Sequence, residues 1–169
     1  VWAGDGAGVW SVSDMSPPSF GAILLRSARH HRGVDGVGAG TYALHMTGLT
    51  PYLSFDGTAR EALEFYRAVF GGELVLHTFG DFGRDDGGRD RIAHGMLQGP
   101  VELFASDIGP GEDVLALRGI LFSLLGTAEP AELERWFGAL ADGGEVVDPL
   151  TLKPWGDHDG QVRDRFGVT

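Results

Sequence analysis

The chain has 169 residues with 24 acidic against 13 basic side chains, a formal net charge of -11, and no cysteine. That length suits one domain of ordinary size or two small modules sharing a core, and the acidic balance, with no Lys/Arg cluster, excludes binding to a nucleic-acid backbone. Lack of cysteine excludes disulfides, thiolate metal sites and cysteine nucleophiles, and the short apolar patch at residues 22–25 is no membrane span or signal core, so a cytoplasmic protein with no membrane partner is expected.

Residues 1–46 hold neither helical nor strand periodicity: Gly, Ser and Ala recur, and Pro17-Pro18 and Arg29-His30-His31-Arg32 interrupt. They are expected to form an irregular or disordered extension, translated from upstream or vector-derived, with the functional domain, 47–169, starting near Met46. His30 and His31 in such a tail are read as solvated side chains rather than a metal site.

Residues 51–55 form a short β-prone run broken by Asp56-Gly57, and a helix follows. Thr58 stands three residues before Glu61, the spacing of a capping box. Ala62, Phe65, Tyr66, Val69 and Phe70 fall on one helical stripe that must face a sheet. Gly71-Gly72 ends the helix, and residues 73–79 resume a strand with Leu74, Leu76 and Thr78 on one face and Val75, His77 and Phe79 on the other. Residues 80–90 are turn formers and charges, expected as a mobile loop over a pocket. Runs 91–97 and 101–107 flank Gln98-Gly99-Pro100 and read as a hairpin, so three strands follow the helix. Residues 108–117 suit a linker.

The second half repeats the first. Residues 120–125 read as a strand, and Gly126-Thr127-Ala128 reproduces Gly57-Thr58-Ala59. A helix follows with Pro130 in its first turn and Leu133, Trp136, Phe137 and Leu140 on one stripe. Gly143-Gly144 and Glu145-Val146-Val147 then match Gly71-Gly72 and Glu73-Leu74-Val75. Two copies argue for paired modules rather than a solenoid. Residues 150–155 and 161–169 are expected as two further strands around the turn at 156–160, the last of them interrupted and lacking an edge element that a partner would supply.

Three stretches carry a resemblance to a known family. They are Pro51-Tyr52-Leu53-Ser54-Phe55 running into Glu61-Ala62, Phe65-Tyr66 and Phe70-Gly71-Gly72-Glu73-Leu74; then His94 and Leu103-Phe104-Ala105-Ser106-Asp107; then Trp155-Gly156 and Asp164-Arg165-Phe166-Gly167-Val168. Together they resemble the vicinal oxygen chelate superfamily of glyoxalases, bleomycin-resistance proteins and extradiol dioxygenases, in its PhnB-like branch. The resemblance implies an α+β fold of tandem βαβββ modules, about 49–107 and 119–169 with the second truncated, whose mixed sheet curls into a cup with the helices packed outside. It also implies a small-molecule ligand inside the cup and a homodimer.

Catalytic relatives hold a divalent metal with His, Gln or Glu from the first and last strands of each module. Here those first-strand positions fall at about Pro51 and Ile120, which offer no donor, and only Glu102 matches a carboxylate position. No metal or other cofactor is therefore predicted, although the fold admits a divalent ion. Whether the protein is an enzyme stays open; if it is one, a glyoxalase-like lyase or dioxygenase is expected. His94, sharing a strand face with Ile92 and Met96, and Glu102, sharing one with Phe104 and Ser106, are the candidate acid–base pair, with a core histidine and an exposed glutamate as the alternatives. The expected ligand-binding set is Phe79, His94, Glu102, Phe104, Trp155 and His158. A non-catalytic dimerising module is the third reading.

Overall fold

The structure, a computed structural model, describes residues 49–114 and 119–169, all within one compact unit, Leu44–Thr169. The expectations for residues 1–46 and for His30 and His31 lie outside the described residues.

The chain forms β1 (Tyr52–Phe55), α1 (Ala59–Phe70), β2 (Glu73–Thr78), a 3-10 turn at Gly80–Phe82, β3 (Ile92–Gln98), β4 (Leu103–Asp107), α2 (Pro130–Ala141), β5 (Glu145–Leu152) and β6 (His158–Arg163). The first module is a complete βαβββ unit. Its sheet has the order β1-β4-β3-β2, with β1 parallel to β4 and the other pairs antiparallel. Helix α1 covers one face of this sheet. Ala59, Ala62, Leu63, Tyr66, Val69 and Phe70 are its buried residues, so four of the five expected stripe residues are buried, Phe65 is only partly buried at its edge, and Ala59 and Leu63 join the stripe. Gly95 on β3 is the seat for Leu63: a Cβ there would collide with the leucine's Cδ1.

The N-terminus of α1 departs from expectation. Thr58 is the N-cap residue but makes no side-chain capping bond, so the Thr58–Glu61 capping box does not form. The capping acceptor is Asp107, at the end of β4. Its Oδ1 accepts from the Ala59 N–H at 3.0 Å and its Oδ2 from the Ile92 N–H at 2.8 Å. A buried carboxylate that satisfies two backbone donors on two elements outcompetes a local hydroxyl, because it removes two orphaned groups at once and faces the positive end of the helix.

The second module is less complete. Residues 120–125 join no strand ladder; among the backbone bonds beyond helices and strands, the Phe122 N–H donates to the Thr169 carbonyl at 3.1 Å. In the first module β1 takes its ladder bonds from β4, and no strand equivalent to β4 follows β6 among the described residues. The two strands expected at 150–155 and 161–169 are instead β5, continuous from Glu145 to Leu152 through Pro149, and β6, which stops at Arg163. Pro149 is tolerated because the β5–β6 ladder loses register between Asp148 and Thr151. After Arg163, Asp164 folds the chain into a tight turn, its Oδ1 accepting from the N–H groups of Phe166 at 2.9 Å and Val168 at 3.0 Å.

The duplication is visible in the backbone. A Cβ on Gly72 would strike the carbonyl of Gln98, where β3 ends opposite Glu73; a Cβ on Gly144 would strike the carbonyl of Arg163, where β6 ends opposite Glu145. The second glycine of each pair is thus required by the same close approach of two chains. The modules join through α1. Trp136 of α2 stands edge-on to Phe70 at 5.2 Å, Phe166 meets Phe55, Phe65 and Tyr66 at 5.6 to 6.1 Å, and the Tyr66 hydroxyl donates to Asp164 Oδ2 at 2.6 Å. Burial and the Asp164 carboxylate push the Tyr66 phenol well above its ordinary range.

Candidate functional site

Because Leu53, Phe55, Leu74, Leu76, Leu97, Leu103 and Ala105 belong to the core under α1, strand alternation sends their neighbours to the opposite face of the sheet. The register arranges that open face in rungs, on which Tyr52 is exposed while Met96 and Ser106 are buried. Tyr52, Phe104, Met96 and Val75 lie side by side across all four strands. One rung further, His77 pairs with His94 and Ser54 with Ser106. One rung the other way, Glu73 pairs with Gln98, and continuing the Leu97–Leu103 pairing puts Glu102 beside Gln98.

An aromatic cluster occupies the middle. Tyr52 stacks on His94 with ring centroids 5.7 Å apart and 26° between planes, and its hydroxyl is joined to His94 Nδ1 at 3.2 Å. Phe104 stands edge-on to His94 at 5.2 Å and to Tyr52 at 6.1 Å. Burial raises the Tyr52 phenol, and a hydrogen bond with Ser106 partly offsets it. Tyr52 also lines a cleft of about 400 Å³ along the free edge of β1, closed on the far side by Ile120, Phe122 and residues 166–169. That volume is in the range of small-molecule pockets, and its walls mix apolar side chains with Ser54, Asp56, Thr58 and Thr169.

The predicted site residues separate into two groups. His94 and Phe104 come together, with Tyr52 as the member that sequence reasoning missed; its alternation against Leu53 and Phe55 was the available signal. Glu102 is exposed and lies two rungs from His94, roughly 14 Å along the strands at about 3.4 Å per residue. The hairpin register therefore does not assemble the His94–Glu102 pair. Nor does His94 share its surroundings with Ile92: the ladder shifts register between His77 and Thr78, and Ile92 joins the core. Phe79 is 2% exposed and sits beneath the 80–90 loop with the Arg84 guanidinium 4.3 Å over its ring, so it anchors that loop. Thr78 and Asp81 exchange two hydrogen bonds at the loop's start, and Arg84 pairs with Asp86 at 2.8 Å. Trp155 lies in the β5–β6 turn, 65% exposed, and His158 begins β6, also exposed; neither reaches the aromatic cluster through a ring contact among the described residues.

Among the described residues, no group of three His, Asp or Glu side chains is placed to hold a metal ion. Pro51 and Ile120 offer no donor beside Glu102, so the donors present do not fit the metal site expected of catalytic relatives. No described helix is long and apolar enough to cross a membrane.

Comparison with known proteins bears on this geometry. The sequence profile of the Glyoxalase/Bleomycin resistance protein/Dioxygenase superfamily matches residues 48–169. Protein YjdN of Escherichia coli is 28% identical over 132 residues, 71% of this chain and 90% of that protein. The crystal structure of protein PA1353 from Pseudomonas aeruginosa is 39% identical, with a TM-score of 0.63 over 71% of this chain and 91% of that one. The PhnB protein of Bacillus cereus shares the fold at 22% identity and a TM-score of 0.56, covering 71% and 93%.

Proposed function

The chain belongs to the Glyoxalase/Bleomycin resistance protein/Dioxygenase superfamily, and from that membership we propose that it is a small-molecule-binding protein whose ligand lies against the open sheet face between the two modules. The observation that carries this reading is the Tyr52–His94–Phe104 cluster on that face, with Tyr52 shared by the adjoining cleft. Aromatic side chains next to a concave wall of mixed polarity suit a planar ligand with polar substituents, and the Tyr52 and His94 polar atoms can orient it. The reading includes no resident metal and a cytoplasmic location.

A homodimer is part of the same proposal. Val146, Val147, Leu152 and Trp155 on and beside β5 stay 45 to 65% exposed, and among the described residues no further strand pairs with either edge of the β5–β6 hairpin. A two-stranded hairpin is marginal by itself, and a second copy could cover it.

The test is metal analysis of the purified full chain together with thermal-shift screening against planar small molecules. The proposal expects substoichiometric metal and a ligand-dependent stabilisation that Tyr52→Ala removes. Stoichiometric Ni, Zn, Fe or Mn, lost on Glu102→Ala, would replace it with a metal-dependent lyase or dioxygenase.

A further inference from the structure

Strand β1 is an edge of its sheet, and the cleft runs along that edge. The carbonyls of Pro51 and Phe55 accept from the N–H groups of Phe104 and Ile108, at 2.9 and 2.8 Å. Because the N–H and C=O groups of successive strand residues point to opposite sides, Pro51, Leu53 and Phe55 face β4, and Tyr52 and Ser54 turn their backbone N–H and C=O toward the cleft. None of these four outward groups is hydrogen-bonded among the described residues. The Ser54 hydroxyl is buried and also has no hydrogen-bond partner, and a buried polar atom left unpaired calls for a reason. Three polar groups of one residue thus stand unused beside a cleft. Ile120, Phe122 and residues 166–169 close that cleft at about 400 Å³, which admits a short chain and leaves no room for the sheet that a second copy's strand would bring with it.

We infer that the cleft takes a short extended peptide, added to the edge of β1 as an antiparallel strand. This rests on the proposed binding function and names the ligand class. The outward N–H and C=O of Ser54 are matched by the N–H and C=O of a single α-amino-acid residue lying opposite, which exchanges both bonds with it. Tyr52 receives the residue two places further on in the same way, and the residue between them points its own N–H and C=O away from β1. A ligand with one polar group satisfies only half of either exchange. Alternation sends the side chains of the two paired residues to the face that carries Ser54 and Tyr52. An aromatic residue therefore suits the place opposite Tyr52, where its ring joins the Tyr52–His94–Phe104 cluster, and a small hydroxyl-bearing residue suits the place opposite Ser54, whose Oγ it can bond. Main-chain bonds supply the affinity and these two side chains the selectivity.

The experiment titrates the isotope-labelled full chain with acetyl-threonyl-valyl-phenylalanine N-methylamide and follows its amide signals by NMR. The peptide is expected to saturate and to move the Tyr52 and Ser54 amides most, because Leu53 and Phe55 already face β4. Methylating the peptide nitrogen of the threonine or of the phenylalanine, which face Ser54 and Tyr52, is expected to weaken binding roughly tenfold, and methylating that of the valine, which faces away, less than about twofold. Equal losses from all three methylations, or shifts confined to Phe122 and residues 166–169, would overturn the edge pairing while leaving ligand binding in the cleft standing. Concentration-dependent shifts of the Tyr52 and Ser54 amides without peptide would assign the edge to a second copy and overturn the inference. A peptide that fails to bind while a planar molecule still stabilises the chain would overturn the peptide inference alone, and failure of both would overturn the binding function as well.

Discussion

The two modules use the same sequence marks to different completion. Both place a Gly-Thr-Ala before the helix and a double glycine after it, and in both the second glycine lets the next strand start against the end of its partner. In the first module this yields a four-stranded sheet, a helix seated in it through Leu63 on Gly95, and a buried carboxylate tying three elements together. In the second it yields a helix and a hairpin, and Trp136 is the one large buried hydrophobic among its described residues. A repeated local code fixes turns and element starts. The burial that makes an element stable comes from whatever lies across from it, and that differs between the copies.

Four changes would break or sharpen this contrast. The largest is Trp136→Ala, which removes the second module's anchor on Phe70; a loss of about 3–5 kcal/mol is expected in urea unfolding, and a smaller loss would mean that the hairpin and α2 contribute little to the common core. Next come the paired glycines. Gly144→Ala is expected to cost about 1–3 kcal/mol from the backbone collision. Gly72→Ala meets an equivalent collision and also sits at φ 94°, so it should cost roughly a further 1–3 kcal/mol. Equal losses at the two sites would argue that the modules tolerate the substitution by different relaxations. Third, Asp107→Ala removes the cap that the first module alone possesses, an expected loss of about 2 kcal/mol, and it should raise amide exchange at Ala59 and Ile92. Thr58→Ala should change stability far less.

The smallest effect is a pH dependence. Tyr66 has its folded pKa raised above the unfolded value of about 10. The stability it contributes is therefore fully present below pH 10 and declines as pH rises above it, because the unfolded chain loses the proton more readily than the folded one. Tyr66→Phe is expected to flatten the fall in stability between about pH 10 and 11 and to cost about 1 kcal/mol near neutrality by taking a donor from Asp164.

Helix α1, the double glycines and the three strands after α1 were legible because each depends on neighbours a few residues away. The Thr58–Glu61 capping box was misread for the same reason. It is a good local motif, and only the fold brings Asp107, 48 positions from Ala59, to the helix end. The strand at 120–125 failed because strand character needs a partner to complete its ladder, and a short apolar run alone supplies none. Within the candidate site, His94 and Phe104 were recoverable from alternation. The link to Tyr52 was not, since it crosses from β1 to β3 over β4. The proposed His94–Glu102 pair needed a register that the hairpin does not adopt.

The sequence by itself determined the βαβββ unit, its duplication and the superfamily, since these rest on periodicity, glycines at chain crossings and local motif order. Tertiary structure alone decided which carboxylate caps α1 and which aromatics share a face. It also set where Glu73 and Glu102 stand relative to them, because strand order and register join residues that are remote in the chain.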